Sequence, residues 1–267
     1  MKGHLHFNCA PDREGRTALR AQSFRAPFHL SKPHTDAGAL VVNVVNPTAG
    51  IFDGDELVLD VTAEAGSRLV LTTPSASRIY QSRSGRAALV RQKVEAGPGS
   101  FVEFLPEPLI PHSGSVYDQR TTLTAAGDAE MLFFEWLSPG RVAAGEIFQY
   151  QRLDWQTDIR QQGHLIVRER FFLEPSRPDS LTALTQRFPA AHYLACFWLT
   201  TRPFPVEAVE SAGSSPDLYL GWSPLPGNGY SIKALGADAL TTRKLLTRLR
   251  QILYEAMGTL PPRTGRL

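Results

Sequence analysis

Apolar residues recur along most of the chain in short runs separated by turn residues. The first series is Ser23–Leu30, Ala39–Val45, Glu56–Ala63, Arg68–Thr73, Ala87–Val94 and Ser100–Leu105. The second is Val116–Thr124, Glu130–Leu137, Glu146–Trp155 and His164–Leu173. Each run is rich in Val, Ile, Leu, Phe or Thr, and most are bounded by Gly, Pro, Asp or Asn, the marks of β-strands. Glu56–Val61 alternates apolar and polar with period two, as a half-buried strand does, and Phe148–Leu153 does much the same. His4-Leu5-His6-Phe7 reads as a first strand with both histidines on one face. The runs follow one another without intervening helices. That predicts a mainly β fold of layered antiparallel sheets in a single domain spanning 1–267.

Two helices are expected. Asp179–Phe188 is short and weakly patterned. Asp238–Met257 is stronger: Leu245, Leu246, Leu249, Ile252, Leu253 and Ala256 make one apolar stripe. Asp238 suits the N-cap, and Gly258 suits the position after the end. Arg243, Lys244, Arg248 and Arg250 fall largely on the other faces, which predicts a solvated surface; the competing reading is a docking face for an acidic partner. The segments Ser211–Pro216 and Ser223–Gly229 are rich in loop formers.

Composition narrows the function classes. Hydrophobic residues make up 42% of the chain, enough for a sizeable core. A net charge of +2 argues against a nucleic-acid binder that relies on a broad basic surface. No apolar run approaches the roughly 20 residues needed to span a bilayer. Met1–Asn8 lacks the apolar stretch of a signal peptide. The two cysteines, Cys9 and Cys196, cannot form a disulfide framework, so a reducing compartment, the cytoplasm, is expected. Cys196 reads as a buried core thiol.

Catalytic motifs are missing. Asn46–Gly50 has no Gly-Lys-Ser/Thr ending, and there is no Gly-x-Ser-x-Gly or His-Glu-x-x-His. Asp53–Glu56 lacks the ligand spacing of a calcium loop and reads as a turn. Of the seven histidines, His4 and His6 lie two apart with Cys9 nearby, a cluster that could bind nickel or zinc in isolation, but one face of a first strand is the favoured reading; the others show no ligand spacing, so no stable metal site is expected. What stands out is a set of unusual connections. Thr72-Thr73-Pro74-Ser75-Ala76-Ser77-Arg78-Ile79-Tyr80 follows a strand with small polar residues. Leu105-Pro106-Glu107-Pro108-Leu109-Ile110-Pro111 is forced into an extended path and is not expected to be a central strand. Glu135–Arg141 ends a strand in a turn, and Gly145-Glu146 begins the next. Glu107, Glu135 and Glu146 thus sit beside rigid turns, with Arg78 and Arg141 as candidate partners.

These segments resemble those of the UreD (UreH) urease accessory proteins. Ala49-Gly50-Ile51-Phe52-Asp53-Gly54-Asp55 is similar to that family's Gly-Gly-apolar-x-x-Gly-Asp turn. Thr72-Thr73 through Arg78-Ile79-Tyr80 is similar to its Thr-Thr-x-x-x-x-Lys-x-Tyr segment, and Leu105–Pro111 to its Leu-Pro-x-Pro-x-Ile-Pro run. Glu135, Gly140-Arg141 and Gly145-Glu146 follow its Glu…Gly-Arg…Gly-Glu series, and Pro261-Pro262-Arg263 fits its ending. The departures are Ala49 for a glycine, Pro74 after Thr73, Arg78 for a lysine and His112 for an aromatic. Ala49 is expected to resist positive φ.

The resemblance implies a non-enzymatic chaperone of nickel-urease maturation. It implies partners of the UreF and UreG types and apo-urease, no stably bound cofactor, and nickel in transit through an internal passage. On this reading Asp55, Glu107, Glu135 and Glu146 line or gate the passage, with Thr72, Thr73, Arg78, Tyr80 and Arg141 as further binding candidates and Gly50, Gly54, Gly140 and Gly145 shaping the turns. Hard carboxylates hold Ni²⁺ loosely enough to let it move. Internal ion pairs Glu135–Arg141 and Glu107–Arg78 are the structural alternative. Two other functions compete: a pure scaffold with no metal route, and a β-fold hydrolase using a Glu107/Glu146 carboxylate pair.

Overall fold

The computed structural model describes residues 1–264, so the last three residues of the expected domain lie outside the described residues. The strands in chain order begin with β1 (Lys2–Pro11), β2 (Thr17–Arg25), β3 (His29–Leu30), β4 (His34–Asp36), β5 (Ala39–Val45) and β6 (Glu56–Ala63). They continue with β7 (Arg68–Thr72), β8 (Ser77–Ile79), β9 (Ala88–Ala96), β10 (Phe101–Leu105), β11 (Leu109–Pro111) and β12 (Val116–Ala125). The last are β13 (Glu130–Leu137), β14 (Arg152–Gln161), β15 (His164–Leu173), β16 (His192–Leu199), β17 (Leu218–Pro224) and β18 (Tyr230–Gly236). Three α-helices accompany them: α1 (Thr182–Thr185), α2 (Val206–Ala212) and α3 (Ala239–Ala256).

From β5 to β14 the chain winds as a flattened coil. It crosses from one sheet to the other after each long strand, so β6, β9, β12 and β14 lie side by side in one sheet and β5, β7, β10 and β13 in the other. Neighbours within each of these sets are parallel. β1 joins β6 in parallel, and antiparallel β2 and β15 close the first sheet. Antiparallel β16, β18 and β17 extend the second beyond β13. The sheets are therefore mixed, not antiparallel layers. Side-chain alternation is identical in both directions, so the period-two pattern cannot tell them apart. Parallel neighbours need a long crossover, usually a helix; here a strand of the opposite sheet supplies it.

The coil has unequal ends. At one end the turns are short: 64–67, 97–100 and 126–129. Each closes with a backbone hydrogen bond, Ser67 to Glu64, Ser100 to Gly97 and Ala129 to Ala126. At the other end the connections are long: 46–55, 73–87, 106–115 and 138–151. Several expected elements differ, among them the helix foreseen at Asp179–Phe188, whose α-helical part is only Thr182–Thr185. The strand foreseen at Ser23–Leu30 is instead Thr17–Arg25 with a two-residue piece at His29–Leu30. The strand foreseen at Glu146–Trp155 begins at Arg152, because Gly145 (φ 75°) and Phe148 (φ 50°) bend the backbone out of extension. Leu109–Pro111 does pair, with β8 and at one position with β13, using positions that need no proline N–H.

Two cores result. Leu57, Leu59, Val61, Val102, Phe104, Phe133 and Phe197 pack between the sheets. Phe134, Trp136, Leu194 and Trp198 face the other way and pack on α2 and α3, where Leu245, Leu249, Ile252 and Leu253 form the expected stripe. Cys196 is fully buried there. Asp238 caps α3 by accepting from the Thr241 N–H (2.8 Å). Among the described residues, no α-helix covers the outer face of the first sheet. It carries cross-strand ion pairs instead: Arg168–Asp158, Arg170–Asp154, Arg120–Asp154 and Arg91–Asp118.

Lys244 and Arg248 on α3 are exposed as expected, but Arg243 and Arg250 are not solvated surface groups. Arg250 forks onto Glu103 of β10 (2.5 and 2.8 Å), a carboxylate with no exposed surface that also accepts from Tyr254 Oη (2.7 Å). Arg243 forks onto Glu107. Removing one member of a buried pair strands the other charge. Glu103→Gln is therefore expected to lower unfolding stability by about 3–5 kcal/mol, read as a shift in the urea midpoint at constant slope.

Candidate functional site

The four long connections stack at one end of the coil and lock together. Ile51 N–H donates to Arg78 O (2.8 Å), and Tyr80 N–H returns to Ile51 O (2.9 Å). His112 N–H donates to Ile79 O (2.9 Å), and Ser113 N–H to Glu146 Oε2 (3.0 Å). Tyr80 sits at the crossing: it stacks on Phe52 (4.9 Å between ring centroids), meets His112 edge-on (4.8 Å), and its hydroxyl donates to Ala49 O (3.2 Å).

Local chemistry explains each motif. Pro106 and Pro108 have no N–H, so Glu107 supplies the donor between them, and Thr73 Oγ1 accepts it (2.9 Å). Thr72 Oγ1 donates to Leu105 O (2.7 Å). The Thr-Thr pair thus stitches the end of β7 to the proline segment. Asp55 accepts from the Phe52 N–H (2.9 Å) and from the Met1 amino group, which fixes the first turn. A Cβ on Gly50 would lie 2.4 Å from Arg78 O, and one on Gly140 2.4 Å from Glu146 O, so both glycines are required by close backbone approach. Ala49 is not at positive φ, so its substitution for glycine strains nothing. His112 serves as an aromatic: burial lowers its pKa, and the ring packs against Tyr80.

Behind these connections a cavity of about 200 Å³ opens between the sheets. Its exposed end is formed by Ala49, Pro74, Ser75 and Arg78. Its inner end is lined by Tyr117, Gln119, Phe133, Glu135 and Trp155. A polar ladder runs along the inner wall: Tyr117 Oη donates to Gln119 Oε1 (2.6 Å), Gln119 Nε2 to Thr121 Oγ1 (3.0 Å), and Thr121 Oγ1 to Gln92 Oε1 (3.0 Å). Glu135 faces it from β13, 3% exposed, and accepts from Thr157 Oγ1. Burial pushes its carboxyl up to about 7. Past Glu135 and Trp155 lies a narrow void walled by Thr157, Glu169, Phe171 and Tyr193. Glu169, Phe171 and Tyr193 also wall a surface pocket of about 470 Å³ that holds Lys233 and Tyr219.

Comparison with known sequences decides the family. The pattern of the family described as UreD urease accessory protein matches residues 1–267. A protein of Opitutus terrae named urease accessory protein UreD is 39% identical over 95% of this chain and 94% of its own length. A namesake in Herpetosiphon aurantiacus is 33% identical over 98% and 96%, and one in Acetivibrio thermocellus is 26% identical over 90% and 93%. The chain belongs to the UreD family.

In this UreD-family chain the nine candidate side chains fall into three settings. Thr73, Arg78, Glu107 and Glu135 line the inter-sheet cavity. Asp55, Thr72 and Tyr80 fasten the connections and do not line it. Arg141 and Glu146 pair with each other beside a separate surface cleft, and the Arg141 hydrogen bond holds the Glu146 carboxyl down to about 2. The expected pairs Glu135–Arg141 and Glu107–Arg78 are not formed; the arginines that reach these elements come from Gly140-Arg141 to Glu146 and from α3 to Glu107. Glu107 and Glu146 are likewise not joined in one cleft. Among the described residues no group of three or more His, Cys, Asp or Glu is arranged to hold a metal, and no helix is long and apolar enough to cross a membrane. Sequence reasoning passed over Gln92, Gln119, Thr121 and Thr157. A signal existed: period two places Gln119 and Thr121 on the same face as Tyr117 and Leu123.

Because the folded Glu135 carboxyl titrates near 7 and an unfolded one near 4.5, its protonated form stabilises the fold fully below pH 4.5. That contribution is lost as pH rises through 7. Urea titrations are expected to show a fall of at most about 3 kcal/mol from this group between pH 5 and 8, and Glu135→Gln is expected to remove that slope.

Proposed function

We propose that this chain is a non-enzymatic urease maturation factor that joins UreF-type and UreG-type accessory proteins to apo-urease and gives nickel a route through its inter-sheet cavity. The observation that carries this reading is a polar-lined interior in a mainly apolar core. Glu135 and Glu107, with the amide oxygens of Gln92 and Gln119, offer hard oxygen donors, and the described residues that line the cavity include no cysteine or histidine to trap a borderline ion. Nickel is cargo here, not a resident cofactor. The carboxylates that the family motifs single out at Asp55 and Glu146 have structural duties in the turns and give this route no donor.

A second reading has its own support. The void between Glu135, Trp155, Phe171 and Tyr193 is too narrow for a water molecule, which favours a scaffold in which metal travels elsewhere. The route requires those side chains to part. A hydrolase built on Glu107 and Glu146 has no such support, since each carboxylate is neutralised by its own arginine.

Ala76 lines the open end of the cavity on a connecting segment. Ala76→Trp is expected to leave co-purification with the UreF-type partner intact and to cut the nickel content of co-expressed urease several-fold. Unchanged nickel content with intact partner binding would exclude the route and leave the scaffold.

A further inference from the structure

A second hollow lies on the surface, where the last long connection meets the start of α3: a cleft of about 1020 Å³. Much of its wall is apolar, with Ile110, Val142, Ala144, Ala190 and Leu240 lining it. Val142 is 42% exposed and Leu240 65%, so two sizeable apolar side chains meet water where a covering partner removes them from it.

The polar part of the cleft is built from cations and donors. Arg78, His112 and Arg141 all line it. They are near one another: burial is the first cause of the lowered His112 pKa, and the charges of Arg141 and Arg78 lower it further, with Glu146 opposing them. Their donors are only partly used. Arg78 is exposed, and its guanidinium has no acceptor among the described residues. Arg141 commits Nε and Nη2 to Glu146 and keeps Nη1 for another acceptor. His112 is 6% exposed, and its Nε2 is buried with no hydrogen-bond partner among the described residues. A buried nitrogen left without a partner is costly. The one carboxylate among the described lining residues, Asp238, is engaged at the start of α3, where it accepts from the Thr241 N–H and hydroxyl (2.8 and 3.1 Å). The cleft therefore holds donors for an acceptor that the chain itself does not supply.

We propose that this cleft is a docking site for a protein segment that offers an Asp or Glu side chain to Arg78, Arg141 and His112 and lays apolar neighbours over Val142 and Leu240. Charge decides the polar part: guanidinium groups match a carboxylate in both sign and fork geometry. The apolar wall decides the source, because a free anion satisfies the donors and leaves Val142 and Leu240 uncovered. The site rests on the reading that the chain works in an assembly with accessory proteins and apo-urease, and it is independent of the nickel route.

The test uses the full chain co-expressed with the UreF-type and UreG-type proteins and urease. The photo-crosslinking residue p-benzoylphenylalanine replaces Leu240, and the joined peptides are mapped by mass spectrometry. The expected product contains a partner segment with Asp or Glu beside apolar residues. Arg78→Glu is expected to lower its yield at least about tenfold, and Lys in place of the segment's carboxylate is expected to restore it. Arg78→Lys is expected to stay close to the parent. An unchanged urea midpoint checks folding, and if Arg78→Glu does not fold, Arg78→Gln carries the comparison. A product that maps to a second copy of this chain or to a segment without a carboxylate overturns the docking site and leaves the assembly reading standing. So does a yield that Arg78→Glu leaves unchanged. Binding of propionate by the isolated chain, read as a shift of the His112 ring resonances, with no crosslinked partner, leaves an anion site only and likewise overturns it. Failure of the unaltered chain to co-purify with any of the three partners overturns the assembly reading and the docking site with it.

Discussion

A chain that changes sheet after every strand has to turn twice in each coil, and every turn brings backbone donors and acceptors that need partners. At one end of this molecule the problem is solved within each turn: residues 64–67, 97–100 and 126–129 close on their own carbonyls. At the other end the connections are longer: they keep some bonds of their own, such as Asp55 to Phe52 and Ser115 to His112, and they also bond to one another. Ile51 to Arg78, His112 to Ile79 and Ser113 to Glu146 each join one coil to another. The parallel winding is the constraint from which this follows, because it stacks turns from successive coils directly over each other. Close stacking then demands glycine at positions 50 and 140, where a β-carbon would strike a neighbouring carbonyl.

The same arrangement accounts for the cavity. Short turns draw the two sheets together, and the core between them is apolar. Long connections stand away from the sheet ends, and the space they leave is lined by Gln92, Gln119, Tyr117 and Glu135. Placing such groups between two sheets is unfavourable unless each finds a partner. The ladder from Tyr117 to Gln92 supplies partners for the neutral groups. Glu135 has a single hydroxyl, Thr157, and its carboxyl responds by rising to about 7. A fold selected for stability alone has a simpler solution at this position, an apolar side chain continuing the row of Phe133 and Leu137.

Much of this was legible in the sequence, and what was not had physical reasons. The strands Ala39–Val45, Glu56–Ala63, Glu130–Leu137 and His164–Leu173 coincide with their apolar runs. Their direction was hidden, because inward and outward positions alternate the same way in parallel and antiparallel sheets. The four unusual segments were visible as oddities, and they turn out to be the four long connections. Phe148–Leu153 misled because Phe148 and Tyr150 are buried in alternation on a backbone that is not extended. The ion pairs were unreadable for a different reason. Glu107 and Arg243 lie 136 residues apart, and Glu103 and Arg250 lie 147 apart. No local pattern marks partners that only the packing of α3 on the second sheet brings together.

That packing explains why the two pairs occur as a set. Arg243 and Arg250 are two helical turns apart, about 10 Å along α3. Glu103 and Glu107 are four residues apart on an extended path, about 13 Å. The spacings match closely enough for one face of the helix to reach both carboxylates, so the inner pair sets the register of α3 and thereby the place of the outer one. The inner pair, buried with Tyr254, is a fixed point. The outer pair inherits its geometry from that fixed point and is the more exposed of the two, with Arg243 37% exposed against 13% for Arg250. A fully buried anchor beside a more exposed pair divides the work along one helix face: the inner pair fixes α3 on the second sheet, and the outer one ties the start of α3 to the connection that follows β10.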